Sequence, residues 1–328
     1  MPRKALLIGI DDYPKKWALP SCVHDCDELE KVLTNNLDDS KSPNFAVTKL
    51  PNCKSSVVAE NAIRDVFANV GQDVSLLYFS GHGYVDANNN GQILFPKNIQ
   101  PGNTYIGLLM RDIMKIVSKS TVNNKIVILD CCHSGIIANN DDNVATLPNG
   151  CTILTACHPM EQAQATLSHS LFTHLLIQAL NGEAADYMGH ITIGGIYSYI
   201  DRSMGWQGQR PIFKTNITSF VSLRDVTPKV GVNILKRGLH LFKNVDEMFQ
   251  LDPSFEDTND PKIEHKYVEP YANEENVANF KILQKLQSIG FVEPVDEEFM
   301  YFAAMNSKKC RLTEIGKYYW KLDNNNML

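Results

Sequence analysis

The chain has 328 residues, 44% of them apolar, and a formal net charge of −6. That length allows two domains and a well-filled core, and no apolar run reaches the roughly 18–20 residues of a membrane-spanning helix. Residues 225–328 carry 13 Lys+Arg against 17 Asp+Glu, so the last third is acidic, which argues against nucleic acid as a partner.

The opening "MPRKALLIGIDDYP" holds a short apolar run over residues 5–10 that ends in two aspartates. It reads as a first strand rather than the apolar region of a signal peptide, which makes the cytoplasm the expected compartment. "CVHDCDELEKVLTNNL" has helical periodicity, "FAVTKL" reads as a strand, and "SSVVAENAIRDVFANV" as a helix opened by a serine. "VSLLYFS" is a strand, "IGLLMRDIMKIVSK" a helix, and "KIVILD" and "CTILTAC" are strands. "SHSLFTHLLIQALNG" and "TIGGIYSYIDRSM" are helices, and "RPIFKTNI" is a last strand. Apolar strands alternating with helices predict an α/β domain over residues 1–224, with a mostly parallel central sheet flanked by helices.

Residues 225–272 break the pattern. "LDPSFEDTNDPKIEHKYVEPY" holds three prolines and many acids, and reads as a linker or long surface loop. Residues 273–328 then offer a helix ("NEENVANFKILQKLQSIGF"), a hairpin ("VEPVDEEFMYFAAM") and a capped helix ("LTEIGKYYWKL"). That order resembles a small α+β, winged-helix-like domain.

The eight cysteines never fall in a C-x-x-C spacing. A disulfide scaffold and a paired zinc site are both disfavoured. Cys22 and Cys26 lie i, i+4 on a helix with His24 between them, and are read as small buried residues.

Two strand ends carry chemistry. "VSLLYFS" runs into "GHG" at residues 81–83, and "KIVILD" runs into "CCHSG" at residues 131–135. Functional sites in such sheets lie at the carboxyl ends of the strands, so two central strands would bring His82 beside Cys131 and Cys132. A histidine can take a thiol proton and later protonate a leaving amine. The backbone N–H groups of Gly83 and of the cysteine can hold a developing oxyanion. These are the parts of a cysteine hydrolase acting on acyl groups, with no cofactor required. "NNDDN" at 139–143 offers oxygen ligands for Ca²⁺ but lacks the EF-hand spacing, and reads as a solvated loop.

"YFSGHG" followed 50 residues after His82 by "DCCHSG" resembles the caspase–metacaspase–paracaspase superfamily of cysteine proteases. The chain lacks the caspase Q-A-C-x-G form and has instead the metacaspase-like D-x-C-H-S-G. "LLIGIDDY", "LPSCVHDCDELEKVL", "TILTACHPMEQAQA", "SLFTHLLIQALNG" and "ITIGGIYSYI" resemble further elements of the family, so the likeness spans about residues 3–223. It implies a caspase-like fold, Cys132 as nucleophile and His82 as base. It also implies Asp25 and Asp130 as a pocket that pairs with a substrate Arg or Lys. His24 and Cys26 stand where relatives have Asn and Ala.

No Lys or Arg occurs between Lys125 and Arg202. A protease cutting only after basic residues therefore cannot cut its own loop after the nucleophile. The expected switch is a small molecule or protein acting through residues 225–328. Lys229 and Lys236-Arg237 remain as basic self-cutting sites. Two other readings stand beside this one: a caspase-fold binding protein with a silent site, and a protease that cuts after Asp, for which Asp141 or Asp142 would be the processing positions.

Overall fold

The computed structural model describes residues 3–14, 17–68, 71, 73–100, 104–131, 147–156, 170–204, 210–260, 262 and 268–328. The chain forms two compact units, Met1–Thr227 and Pro228–Leu328.

The first unit begins β1 (Arg3–Gly9), α1 (Cys22–Thr34), β2 (Ala46–Pro51), α2 (Ser56–Phe67) and β3 (Val74–Ser80). Short strands follow: β4 (Gly83–Val85), β5 (Gly91–Ile93), β6 (Ile99–Gln100), β7 (Thr104–Tyr105) and β8 (Leu108–Leu109). Then come α3 (Met110–Lys119), β9 (Asn124–Asp130), β10 (Cys151–Thr155), α4 (Leu171–Gln178), β11 (His190–Thr192), α5 (Ile193–Ser203), β12 (Ile212–Asn216) and β13 (Ser222–Asp225).

Six strands form the central sheet in the order β12-β10-β9-β3-β1-β2. All pairings in it are parallel except β10 with β12 at one edge. The sheet is apolar on both faces because helices cover both. Leu6 and Ile8 pack with Ile63 of α2 and Ile113 of α3, whereas Ala5 and Leu7 pack with Leu29 of α1 and Phe172 of α4. That strand-period alternation lets one apolar run fill two half-cores. β3 is buried at every position and sits beside β9 in the middle of the sheet.

The second unit contains α6 (Val232–Leu239), β14 (Met248–Gln250), α7 (Glu274–Ser288), β15 (Val292–Val295), α8 (Met300–Met305), β16 (Lys309–Leu312) and α9 (Glu314–Asn324). The linker reading of 225–272 needs correction. Helix α6 lies there, β14 pairs with β16, and Leu251, Phe255 and Asn259 are buried. The polar residues that read as solvated loop instead tie down backbone: Asn259 Nδ2 reaches the carbonyls of Pro253, Val268 and Pro270 at 3.0, 2.8 and 3.1 Å. The segment read as a hairpin is also different, because α8 separates β15 from its antiparallel partner β16. No helix among the described residues is long and apolar enough to cross a membrane.

Gly9 sets how closely α1 approaches the sheet. A Cβ there would stand 2.2 Å from the Cys22 carbonyl oxygen and 2.8 Å from Cys26 Sγ. Gly9→Ala is expected to cost about 1–3 kcal/mol through overpacking, lowering the melting temperature by several degrees in a thermal scan. An unchanged melting temperature would contradict the close packing.

Candidate active site

Parallel pairing places Ser80 opposite Asp130. The Gly81 N–H reaches the Asp130 carbonyl at 3.4 Å, so the two strand ends leave the sheet side by side. Gly81 is needed for space: a Cβ would stand 2.6 Å from the Tyr13 hydroxyl and 2.9 Å from the Phe79 ring.

His82 is held on three sides. Its backbone N–H donates to the Tyr13 hydroxyl at 3.0 Å, and that hydroxyl donates to the Leu94 carbonyl at 2.9 Å. The rings of Tyr13 and Trp17 meet the imidazole edge-on, with centroids at 4.6 and 5.3 Å. Nε2 lies 2.7 Å from the Trp17 carbonyl oxygen. A carbonyl only accepts, so Nε2 carries the hydrogen, and Nδ1 is the basic nitrogen of the neutral ring. Burial lowers the imidazole pKa from its ordinary value, and the bond to Trp17 opposes that. Burial therefore favours the neutral imidazole, and its tautomer is fixed by a backbone atom.

Gly83 opens β4 and pairs with Ile93 of β5. Cys131 is 1% exposed and packs in the half-core with Tyr13, Phe79 and Leu129. Its thiol belongs to the interior. Cys132, His133, Asp141, Asp142 and the "NNDDN" stretch lie outside the described residues.

Asp25 and Asp130 converge on the start of α4. Both are buried, at 0% and 4% exposure. Asp130 Oδ2 accepts from the Ser170 hydroxyl and, at 2.7 Å, from the Thr173 hydroxyl. Ser170 is also the N-cap of α4, accepting from the Thr173 N–H, and its own backbone N–H donates to Asp25. Burial, and then the charge of Asp130, push the Asp25 carboxyl up to about 8, against the pull of the Ser170 N–H. Burial also raises Asp130, opposed by the two hydroxyls. α1, which presents Asp25, is fastened from the β1 end: the Asp11 carboxylate accepts from the N–H groups of Cys22 at 2.6 Å and Val23 at 3.3 Å.

Cys22 and Cys26 are buried while His24 is exposed, so the three do not share a face. Among the described residues no group of three or more His, Cys, Asp or Glu is arranged to hold a metal ion. Tyr13, Trp17, Ser170 and Thr173 were not singled out by sequence. Trp17 acts through its carbonyl, which no side-chain pattern reports, and Ser170 showed only as the opening of a helix.

The chain matches the family model of the Caspase domain over residues 2–221. Its fold is similar to the crystal structure of protein GSU0716 from Geobacter sulfurreducens, at 19% identity and TM-score 0.48, covering 69% of this chain and 100% of that one. It is similar also to Caspase-1 from Spodoptera frugiperda, at 16% identity and TM-score 0.46, covering 69% of this chain and 90% of that one. No curated protein matches it in sequence.

The buried pair makes a stability prediction. The folded pKa of Asp25, about 8, lies above its unfolded value of about 4. The folded state therefore holds the proton more tightly, and stability falls as pH rises through that window. Asp25→Asn removes the loss. It is expected to melt a few degrees above the unsubstituted chain at pH 8, the gap closing toward pH 4–5. A lower melting temperature for the variant at pH 8 would contradict the burial argument.

Proposed function

The chain belongs to the caspase-domain family, and from that premise we propose that it is a cysteine endopeptidase cutting after Arg or Lys, with Cys132 as nucleophile and His82 as base. The observation that carries this reading is Asp25 on α1 and Asp130 at the end of β9, buried together at the start of α4, with Asp130 opposite Ser80 two residues before a histidine whose Nδ1 is left basic. Two carboxylates out of water attract a guanidinium or ammonium and repel an acidic side chain. That weighs against a preference for Asp.

In the proposed reaction Nδ1 of His82 takes the Cys132 thiol proton, and the thiolate attacks the carbonyl carbon of the bond to be cut. The backbone N–H groups of Gly83 and Cys132 receive the oxyanion. His82 returns its proton to the leaving amine, and water, deprotonated by the same nitrogen, then hydrolyses the thioester. Cys131, packed into the half-core, is not a competitor for the role.

Regulation follows from the absence of Lys and Arg between Lys125 and Arg202. The loop after the nucleophile is not cut by an enzyme of this specificity, and the switch is a ligand or partner acting through residues 225–328. Of the basic positions after the first unit, Lys229 is exposed in an irregular stretch, while Lys236 and Arg237 lie inside α6 and are protected by its hydrogen bonds.

Intact-mass measurement after incubation with peptidyl ketone probes tests the reading. An Arg probe is expected to add one equivalent to the unsubstituted chain and to Cys131→Ala, and none to Cys132→Ala. An Asp probe is expected to add nothing. Addition of the Asp probe, or an Arg adduct surviving in Cys132→Ala, would overturn it.

A further inference from the structure

The hydroxyl groups beneath the acidic pair form a chain with one direction. Thr173 Oγ1 donates to Asp130 Oδ2, so its single hydrogen is used. Tyr78 Oη, 2.6 Å from Thr173 Oγ1, must then be the donor in that contact. Ser170 likewise spends its hydrogen on Asp130 Oδ2 while accepting from the Thr173 N–H. Two hydroxyl donors thus meet on one oxygen of Asp130, at the positive end of α4. Tyr78 and Thr173 are both 0% exposed. Two hydroxyl donors converging on one carboxyl oxygen favour its ionised form.

Asp25 has different surroundings. The Ser170 backbone N–H donates to it. The titratable groups around it are Asp130 at the end of β9, Asp11 after β1, Tyr78 in β3, and His24, Cys22 and Cys26 on its own helix; Lys49 of β2 is engaged with Asp27 and Glu30. His24, the residue before Asp25, is exposed and acts on it electrostatically, lowering its pKa.

We infer that Tyr78, Thr173 and Ser170 are positioning residues that fix the negative charge of the pair on Asp130, leaving Asp25 as the carboxyl that holds a proton until a substrate's cationic side chain displaces it. The inference rests on the basic-pocket reading above and adds a mechanism to it. Binding then exchanges one proton for one cation: the Asp25 O–H bond breaks, the proton goes to solvent, and the carboxylate pairs with the incoming guanidinium or ammonium. A pocket of this kind never buries two bare like charges without a counter-ion. Burial raises both carboxyls, but the two hydroxyls pull Asp130 alone downward while the charge of Asp130 pushes Asp25 further up.

The test is calorimetric titration of the full chain with benzamidine at pH 6, 7 and 8, in buffers of different ionisation enthalpy. About one proton is expected to leave per benzamidine bound at pH 7, with the Kd weakening about tenfold for each pH unit below 8. The double variant Thr173→Val with Tyr78→Phe removes the relay without orphaning the phenol. It is expected to weaken binding at pH 7 by about tenfold and to move the pH dependence upward, while Thr173→Ser keeps both. A relay that only packs would change melting without changing the proton count. A pH-independent Kd with no proton release, or a double variant that binds as the parent does, overturns the relay while leaving the basic pocket standing. No binding at any pH overturns the pocket itself and the relay with it.

Discussion

The parallel pairing of β3 with β9, Ser80 opposite Asp130, is the constraint on which the rest depends. It brings two loops that are distant in sequence out of the sheet at one place. Two consequences follow from that register. The residues just past β3 are pinned by Tyr13 and Trp17 from the loop after β1, because β1 is the next strand over. The last residue of β9 is pinned by the start of α4, which packs on the face shared with α1. His82 and the acidic pair are thus set from opposite sides of the same strand boundary.

The acidic pair is costly to the fold. Burying two carboxylates is tolerated because the Ser170 and Thr173 hydroxyls and the Ser170 backbone N–H are aimed at them, and because one carboxyl can stay protonated. Polar groups held this way inside an apolar half-core are characteristic of function taking precedence over stability. The same logic applies to His82, whose tautomer is set by a carbonyl rather than by a titratable partner, so that its basicity does not depend on a second ionisation.

Much of this architecture is legible in the residues. "VSLLYFS" and "KIVILD" each carry four consecutive apolar residues, 76–79 and 126–129, as a strand covered on both faces requires, and both are inner strands. His82 announces itself because it follows such a strand between glycines. Other parts are invisible at that level. The Trp17 carbonyl carries no residue-type signal. Thr173 meets Asp130 across 43 residues of sequence, through a helix whose periodicity says only that one side is apolar. Residues 225–272 read as linker or surface loop because prolines and acids mark turns in solvent and turns tied to buried amides equally well.

The central claim is that the two strand ends form one catalytic pair, His82 acting on Cys132. The most direct measurement is the rate of Cys132 alkylation by iodoacetamide as a function of pH, followed by peptide mass, in the unsubstituted chain and in His82→Ala. A pair is expected to show fast alkylation near pH 7 that falls by tenfold or more in His82→Ala, with the variant's rate rising only toward the ordinary thiol pKa of about 8.5. Superimposable profiles would mean that His82 does not reach the thiol, and would contradict the account.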